Sequence, residues 1–314
     1  MIGVMPRIFV TRKLPGEALG RLADAGHEVD VWNGELPPPR DELLGRTTTA
    51  EGLLCLLTDR VDAELLDACP ELRAVANMAV GTDNIDLAEC AQRGIPVGNT
   101  PGVLTEATAD LAFALILASA RHLIAAAGAV RAGHWRTWEP AGWLGQDVHG
   151  ATLGIIGLGK IGRAMVRRSE GFGMRLLHHD RTSGMSLDTV LADSDFVSIH
   201  CPLTEQTRGL IGERELRQMK PTATLVNTAR GEIVDPRALA TALREGWIAG
   251  AALDVTDPEP LAPDDPLLQA PNLIVLPHIG SASHATREAM ADLAVDNLIA
   301  ALAGRAMPNP VGES

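Results

Sequence analysis

The sequence lacks the features that mark several large classes of protein. Only four of its 314 residues are cysteine (Cys55, Cys69, Cys90 and Cys201), and no C-x-x-C pair occurs. This spacing argues against a disulfide framework or a zinc site, so we expect buried free thiols in a reducing compartment. No signal peptide is visible, since Met1–Val10 contains Pro6 and Arg7 and lacks a long apolar core. We therefore expect a cytoplasmic protein.

Long hydrophobic runs are also missing. The most apolar segment, Leu104–Ala127, is interrupted by Glu106 and Asp110, and its uncharged stretch from Leu111 to Ala120 is short. A bilayer span needs roughly 20 apolar residues, so this segment is expected to be a buried helix that Thr105 or a neighbour caps, and no membrane role is expected.

Positive charge is scarce. The chain has 27 lysines and arginines against 40 acidic residues, a formal net charge of −13. This balance argues against a general nucleic-acid or anionic-membrane partner, and an anionic substrate would need local arginines. With 46% hydrophobic and 21% charged residues, the composition is that of a globular protein of one or two domains.

The first third alternates short apolar runs with helical patterns, which indicates a parallel sheet with helices on both faces. The predicted strands are Arg7–Thr11, Glu28–Trp32, Gly52–Leu57, Leu72–Met78 and Ile95–Val97, and the predicted helices are Pro15–Ala25, Asp62–Cys69 and Leu87–Arg93. This part has no glycine fingerprint of its own.

A dinucleotide fingerprint, G-x-G-x-x-G, occurs at Gly157–Gly162 between an apolar strand and an amphipathic helix. In this pattern Gly157 makes the tight turn, Gly159 lets the backbone approach a pyrophosphate, and Gly162 lets helix and strand pack closely. The helix N-terminus offers free N–H groups to the phosphates. Alone, the pattern is also compatible with an ordinary turn between a strand and a helix.

Five further strands follow the fingerprint strand, and six strands fit the two-halved Rossmann plan. The predicted strands are Leu153–Ile156, Met174–His179, Asp195–His200, Thr222–Thr228, Gly250–Val255 and Leu273–Leu276, with a long last helix at Ser283–Leu302. Ligands of such sheets bind at the carboxyl ends of the strands. The polar residues Asp180, Arg230, Asp254, Glu259 and His278 collect at those ends.

These residues suggest hydride-transfer chemistry. Asp180 lies 18 residues after Gly162, near the spacing of a carboxylate that binds the adenosine ribose, and it favours NAD, while Arg181 could pair a 2′-phosphate and keeps NADP possible. A carboxylate such as Glu259 beside His278 would favour an imidazolium that protonates a carbonyl oxygen. Arg230 suits a substrate carboxylate.

Three of the five tryptophans fall in one irregular segment, Gly133–Gly150. The tryptophans are Trp135, Trp138 and Trp143. Such a segment could be an arm packed on its own domain or a subunit contact, because aromatic anchors are enriched at interfaces.

Taken together, the motifs closely resemble the D-isomer-specific 2-hydroxyacid dehydrogenases, and within them the glyoxylate/hydroxypyruvate reductases. The matching segments cover nearly the whole chain. They are Val80–Asp86, Asn99–Ala107, the glycine fingerprint, Cys201–Thr204, Asn227–Gly231, Asp254–Pro260 and Pro277–Ser281.

The resemblance implies an α/β fold of two doubly wound parallel-sheet domains. A Rossmann NAD(P)-binding domain (103–282) would be inserted in a flavodoxin-like substrate domain (1–102 plus 283–314), and the chain would form a homodimer around Gly102–Gly150. The implied catalytic residues are Arg230, Glu259 and His278. The implied cofactor contacts are Thr105, Gly157, Gly159, Lys160, Ile161, Gly162, Asp180, Arg181, Cys201, Pro202, Thr207, Thr228, Ala229, Arg230, Asp254, His278 and Gly280. The substrate would contact Leu57, Val80, Gly81, Arg230 and His278; no metal is implied.

The expected reaction is reduction of a small 2-keto acid, such as glyoxylate or hydroxypyruvate, to the D-2-hydroxy acid with NAD(P)H. Two alternatives stay open. One is a dehydrogenase of the same fold for another acid such as 3-phosphoglycerate, for which Arg60 is the only nearby extra cation. The other is a non-catalytic NAD(H)-sensing protein, although sensing needs no proton donor.

Overall fold

The computed structural model describes residues 5–312, so the predicted domain ends at 1 and 314 lie outside it. The described residues up to Leu104 and from Ala282 onward form unit 1, and Thr105–Ser281 form unit 2. These boundaries differ by one or two residues from the predicted division, because the first helix of unit 2 begins at Thr105.

Unit 1 contains a five-stranded parallel sheet in the order β2-β1-β3-β4-β5. This is the flavodoxin order. Its strands are β1 (Arg7–Val10), β2 (Glu28–Val31), β3 (Gly52–Cys55), β4 (Ala74–Asn77) and β5 (Val97–Gly98), and its helices are α1 (Ala18–Asp24), α2 (Arg40–Thr47), α3 (Ala63–Ala68), α4 (Leu87–Gln92) and α11 (His284–Leu302).

Both faces of this sheet are covered. The last helix, α11, packs Ala291, Val295 and Leu298 against Ile8 and Leu54 on one face. Residues of α2, α3 and α4 fill the other face. Central strands such as β3 and β4 are buried on both faces and are therefore near-continuous apolar runs, which makes them recognisable in the sequence.

Unit 2 contains six parallel strands in the order β11-β10-β9-β8-β6-β7. The strands are β6 (Thr152–Ile156), β7 (Arg175–His179), β8 (Phe196–Ile199), β9 (Thr224–Asn227), β10 (Gly250–Leu253) and β11 (Leu273–Val275). The helices are α5 (Thr105–Ala120), α6 (Leu123–Arg131), α7 (Lys160–Glu170), α8 (Leu187–Asp193), α9 (Glu213–Gln218) and α10 (Pro236–Glu245).

The predicted fold class of two parallel-sheet α/β domains is confirmed. The expectation that the six strands of the Rossmann domain form two halves of three strands each is wrong. Counted within unit 2, the order is 2-1-3-4-5-6, so a single strand, β7, lies beyond β6. The chain after β7 turns at Asp180–Met185 and forms only an isolated bridge between His179 and Gly184 before α8. The strand order still reverses between β6 and β8, which is where such sheets bind ligands.

The single helix expected over Leu104–Ala127 is two helices. Helix α5 ends at Ala120, and His122 adopts the left-handed conformation (φ 49°) before α6 begins. Gln146 donates its backbone N–H to Ala120 O, and His122 Nε2 lies 3.2 Å from Leu144 O. A distant segment therefore stabilises the break. Thr105 is the first residue of α5 rather than its preceding cap.

No single helix among residues 5–312 is long and apolar enough to cross a membrane. The bent pair α5 and α6, at 63° to each other, passes that test together by length and composition alone.

The tryptophan segment packs on unit 2 near its C-terminal end, where Val148 is 6% exposed and Gln146 donates its backbone N–H to Ala120 O. Trp135, Trp138 and Trp143 are 69%, 79% and 56% exposed. Packing on its own domain therefore holds for Gln146 and Val148 but not for the three tryptophan side chains, and a subunit contact through them stays a prediction.

Three of the four cysteines are buried as expected, and all four are free thiols. Cys201 is only partly buried. It lies directly beyond β8, at the edge of the sheet where polar residues collect, rather than in the core.

Candidate active site

The glycine fingerprint forms a tight cradle between β6 and α7. Gly157 has φ 96°, and a Cβ there would lie 2.5 Å from Cys201 N. A Cβ on Gly162 would lie 2.3 Å from Gly157 O, so helix α7 can approach the strand only with glycine at this position. Nothing lies within 4 Å of the corresponding point on Gly159. The tight turn predicted for Gly157 and the close helix–strand packing predicted for Gly162 are therefore present, and the approach of Gly159 to a pyrophosphate stays a prediction.

The N-terminus of α7 has no side-chain cap. Its N-cap is Gly159, and Lys160 and Ile161 are the first helical residues. Backbone N–H groups at such a terminus favour an anion.

Asp180 lies beside this cradle at the end of β7. Its Oδ2 accepts a hydrogen bond from Leu158 N at 3.0 Å. That bond, opposed by slight desolvation, lowers the pKa of Asp180, so the carboxylate is ionised at neutral pH. The carboxylate is thus fixed against the glycine loop, while the neighbouring Arg181 is exposed.

The loop after β8 carries Cys201, Pro202 and Thr207. Burial raises the pKa of the Cys201 thiol to about 11, so it is no nucleophile at neutral pH, and its backbone packs against Gly157. Thr207 Oγ1 donates to Pro202 O at 2.7 Å and accepts from Thr204 N at 2.8 Å. Thr207 therefore shapes this loop.

His200, which was not among the predicted site residues, directly follows the same strand. Burial lowers its pKa to about 4, so the imidazole is neutral. Nε2 lies 2.8 Å from Ser198 Oγ, whereas the buried Nδ1 has no partner within residues 5–312. The buried hydroxyl of Thr228, after β9, also has no partner within those residues.

Arg230 follows β9, and a second missed residue shapes its turn. The side chain of Asn227, 1% exposed, donates to Arg230 O at 2.8 Å and accepts from Ala229 N at 3.0 Å. Arg230 Nη1 donates to Ala229 O at 2.8 Å. The only signal in the sequence was an asparagine directly before the Thr228–Gly231 turn.

The loops of Arg230 and Glu259 touch at a glycine. A Cβ on Gly231 would lie 2.0 Å from the carbonyl carbon of Thr256. Any larger residue at position 231 would therefore separate the two loops.

Glu259 and His278 form a hydrogen-bonded pair. His278 Nδ1 lies 2.6 Å from Glu259 Oε1, and Glu259 Oε2 accepts from Thr256 N at 3.3 Å. Burial alone would raise the pKa of Glu259, but the His278 contact and the nearby Arg230 charge lower it below its ordinary value. An ionised carboxylate on Nδ1 leaves Nε2 as the imidazole atom that can exchange a proton with a substrate.

His278 is held in a left-handed backbone conformation, with φ 53°. That conformation costs on the order of 1–2 kcal/mol for an L-residue. Asp254, which is 1% exposed, holds the loop that carries His278 by three hydrogen bonds. Its backbone O accepts from His278 N. Its carboxylate accepts from Ile279 N and Gly280 N, both at 2.7 Å. Burial raises the pKa of Asp254, and the two N–H donors oppose that rise.

The structure thus brings most of the predicted residues of unit 2 to one edge of its sheet. Gly157, Asp180, Cys201, Arg230 and His278 all follow the carboxyl ends of strands. Leu57, Val80 and Gly81 belong to unit 1, where they follow β3 and β4, and Leu57 and Val80 are about 40% exposed. Residues 5–312 contain no group of three or more His, Cys, Asp or Glu placed to hold a metal ion.

The family model for the D-isomer specific 2-hydroxyacid dehydrogenase, NAD binding domain, matches residues 113–280. The chain belongs to this family. It is accordingly an NAD(P)-dependent oxidoreductase acting on CH–OH groups, and the predicted family and nicotinamide cofactor are confirmed. The glycine cradle, the uncapped helix terminus and the unpartnered Thr228 hydroxyl fit such a cofactor.

Similar proteins match nearly the whole length of the chain. Glyoxylate reductases of Korarchaeum cryptofilum and Aeropyrum pernix are each 50% identical to it, across 98% of this chain and 96% of their own length. A crystal structure of a Thermus thermophilus protein has a TM-score of 0.94 and 50% identity, covering 97% of this chain and 99% of its own. An NADPH-dependent glyoxylate/hydroxypyruvate reductase of Sinorhizobium meliloti, solved with NADP and malonate, has a TM-score of 0.86 and 36% identity, covering 99% and 98%.

Proposed function

We propose that this enzyme reduces a small 2-keto acid, glyoxylate or hydroxypyruvate, to the D-2-hydroxy acid. The observation that carries the proposal is the Glu259–His278 pair at the end of β11, on the same sheet edge as the glycine cradle. Two relatives at 50% identity are named glyoxylate reductase, which supports glyoxylate as a substrate.

A bound NAD(P)H would supply the hydride. Residues Gly157–Gly162 would bind its pyrophosphate, and Asp180 would accept hydrogen bonds from its adenosine ribose. Thr105, Pro202, Thr228 and Asp254 are further proposed cofactor contacts. Because Asp180 is ionised and bound to the glycine loop, a 2′-phosphate would meet a fixed negative charge there, so NADH is the favoured reductant and NADPH the weaker one.

His278 delivers a proton from Nε2 to the carbonyl oxygen of the substrate, while Glu259 stabilises the imidazolium. Arg230 binds the substrate carboxylate and polarises the carbonyl. Leu57, Val80 and Gly81 of unit 1 complete the proposed set of substrate contacts, with the backbone N–H groups of Val80 and Gly81 donating to the carboxylate.

A kinetic panel tests this proposal. Glyoxylate, hydroxypyruvate, pyruvate and 3-phosphohydroxypyruvate are each supplied with NADH and with NADPH, and loss of reduced cofactor is followed by absorbance. We expect the highest kcat/KM with glyoxylate or hydroxypyruvate and NADH. Arg60 is 80% exposed and already paired with Asp62, which does not favour a phosphorylated acid. Turnover of none of these acids, with intact NADH binding, would favour a sensor.

The two remaining proposals concern the oligomeric state and the cellular location of the protein. A homodimer is supported by the exposed Trp135, Trp138 and Trp143 and by the exposed Leu123 and Ile124 of α6. Light scattering should give twice the chain mass, and the double variant Trp135→Ser with Trp143→Ser should give a lower mass.

A cytoplasmic location is supported by the four free thiols.

A further inference from the structure

The turn Ala79–Thr82, which follows β4, has an unusual distribution of hydrogen bonds. All four of its carbonyl groups accept a hydrogen bond within unit 1, at 2.8–3.0 Å. Ala79 O and Thr82 O accept from the backbone N–H groups of Thr100 and Ile85. Val80 O and Gly81 O accept from the side-chain amides of Asn99 and Asn77. In contrast, the N–H groups of Val80 and Gly81 donate to no acceptor within residues 5–312. The turn therefore has two unengaged backbone N–H groups, whereas each of its carbonyl groups already accepts a hydrogen bond, an arrangement that suits an anion.

Two of the four carbonyl groups are held by side chains rather than by backbone. Asn99 Nδ2 donates to Val80 O at 2.8 Å, and Asn77 Nδ2 donates to Gly81 O at 2.9 Å. We propose that Asn77 and Asn99 are positioning residues for the substrate carboxylate, because they orient the peptide groups whose N–H atoms would bind it. This inference rests on the proposed function.

Asn77 is itself held by burial and by a second hydrogen bond. It is fully buried, and its Nδ2 also donates to Asn84 Oδ1 at 3.1 Å. Asn84 Nδ2 in turn donates to Leu56 O and Asp59 O at 3.0 and 2.9 Å. The turn that contains Leu57, the other proposed substrate residue of unit 1, is thereby tied to the Ala79–Thr82 turn.

Asn99 is fixed by the C-terminal part of the chain. Asn297 of α11, fully buried, donates from Nδ2 to Asn99 O at 3.0 Å, and its Oδ1 accepts from Asn309 N at 2.9 Å. Asn99 N donates to Asn309 O at 3.1 Å. A Cβ on Gly98 would lie 2.6 Å from Asn297 Cγ, so glycine is needed for this approach. The backbone of Asn99 is thereby held on both sides, and its side-chain amide is held by the bond to Val80 O.

The direct test is Asn99→Ala, since Asn99 is only half-buried and its removal leaves β4 intact. Losing one oriented donor to a carboxylate should raise the KM for glyoxylate about tenfold. The kcat should stay within about threefold and the KM for NADH within about twofold, because unit 2 is unchanged. Glyoxylate and hydroxypyruvate share the carboxylate, so their KM values should rise by the same factor. Asn77→Ala should have the same signature with a lower melting temperature.

Arg21→Ala is the matched control. Arg21 on α1 pairs with Asp292, at 2.8 Å, and with Asp296, so its loss destabilises unit 1 without touching the turn. Its KM for glyoxylate should equal that of the wild type. An unchanged KM in Asn99→Ala, or an equal rise in Arg21→Ala, would overturn the inference while leaving the proposed function intact. A wild-type enzyme that reduces no 2-keto acid would overturn both.

Discussion

Nδ1 of His278 and Oε1 of Glu259 lie 2.6 Å apart, although 19 residues separate them in the chain. Each residue is placed by backbone contacts of its own loop: Thr256 N holds the carboxylate, and Asp254 holds the segment that carries the imidazole. The contact between Glu259 and His278 that the sequence predicted is therefore present in the structure.

The lowered pKa of Glu259 predicts the pH range over which this pair stabilises the protein. A carboxyl group whose folded pKa lies below its unfolded pKa adds stability above the unfolded value and loses it as the pH falls through the folded value. The melting temperature of the wild type should therefore exceed that of Glu259→Gln at pH 7. The difference should shrink only below the ordinary carboxyl range of about pH 4. A difference that grows on acidification would contradict this sign.

Gly162→Ala should weaken cofactor binding by moving α7 away from β6. The new Cβ would lie 2.3 Å from Gly157 O, so the phosphate cradle must open. We expect the Kd for NADH, measured by tryptophan fluorescence, to rise about tenfold or more, a loss of ~1.4 kcal/mol. Gly171→Ala, after the other end of α7, meets only Arg168 O at 3.7 Å and should bind NADH as the wild type does.

Asp180→Ala should change the choice of cofactor. Removing the fixed carboxylate removes both the ribose acceptor and the charge that repels a 2′-phosphate, while Arg181 remains. The ratio of kcat/KM for NADH to that for NADPH should fall by about tenfold or more, ~1.4 kcal/mol of discrimination. If the ratio stayed at the wild-type value, Asp180 would not be the selecting residue.

Asn227→Asp should impair the Arg230 turn. The substitution keeps the acceptor for Ala229 N but places a carboxylate oxygen against Arg230 O, where Asn227 now donates. Because a misplaced positioning group can cost a large factor in rate, kcat/KM for glyoxylate should fall about tenfold or more. Asn33→Asp, at an exposed asparagine of unit 1, is the control and should be neutral. Equal activity of the two variants would contradict the role of Asn227.

The sequence predicted those parts of the structure that local patterns determine. Strands such as β6 and β9 are buried on both faces and therefore apolar throughout. The break at His122 was missed because contacts with Leu144 and Gln146 stabilise it from a distance. Helix α10 was also missed, although Asp235, Pro236 and Gly246 are good start and stop residues.

For the site, the family motifs predicted a set of reacting residues but not the contacts that hold them. Asp254 was predicted as a cofactor contact, and the structure adds that its carboxylate also accepts two backbone N–H groups of the His278 loop. Asn77, Asn99 and Asn227 act on carbonyl groups of turns, and a side chain that binds backbone leaves no periodic signal in a sequence. Such residues become visible only when hydrogen-bond partners are known.

We propose that His278 transfers the proton, while the glycine loop and Asp180 bind the cofactor. Both kcat with glyoxylate and the Kd for NADH should be measured on the same preparation of His278→Ala. Loss of a general acid should lower kcat by about 10²–10⁴-fold and leave the Kd for NADH within about twofold of the wild type. Turnover at the wild-type rate would contradict proton transfer by His278.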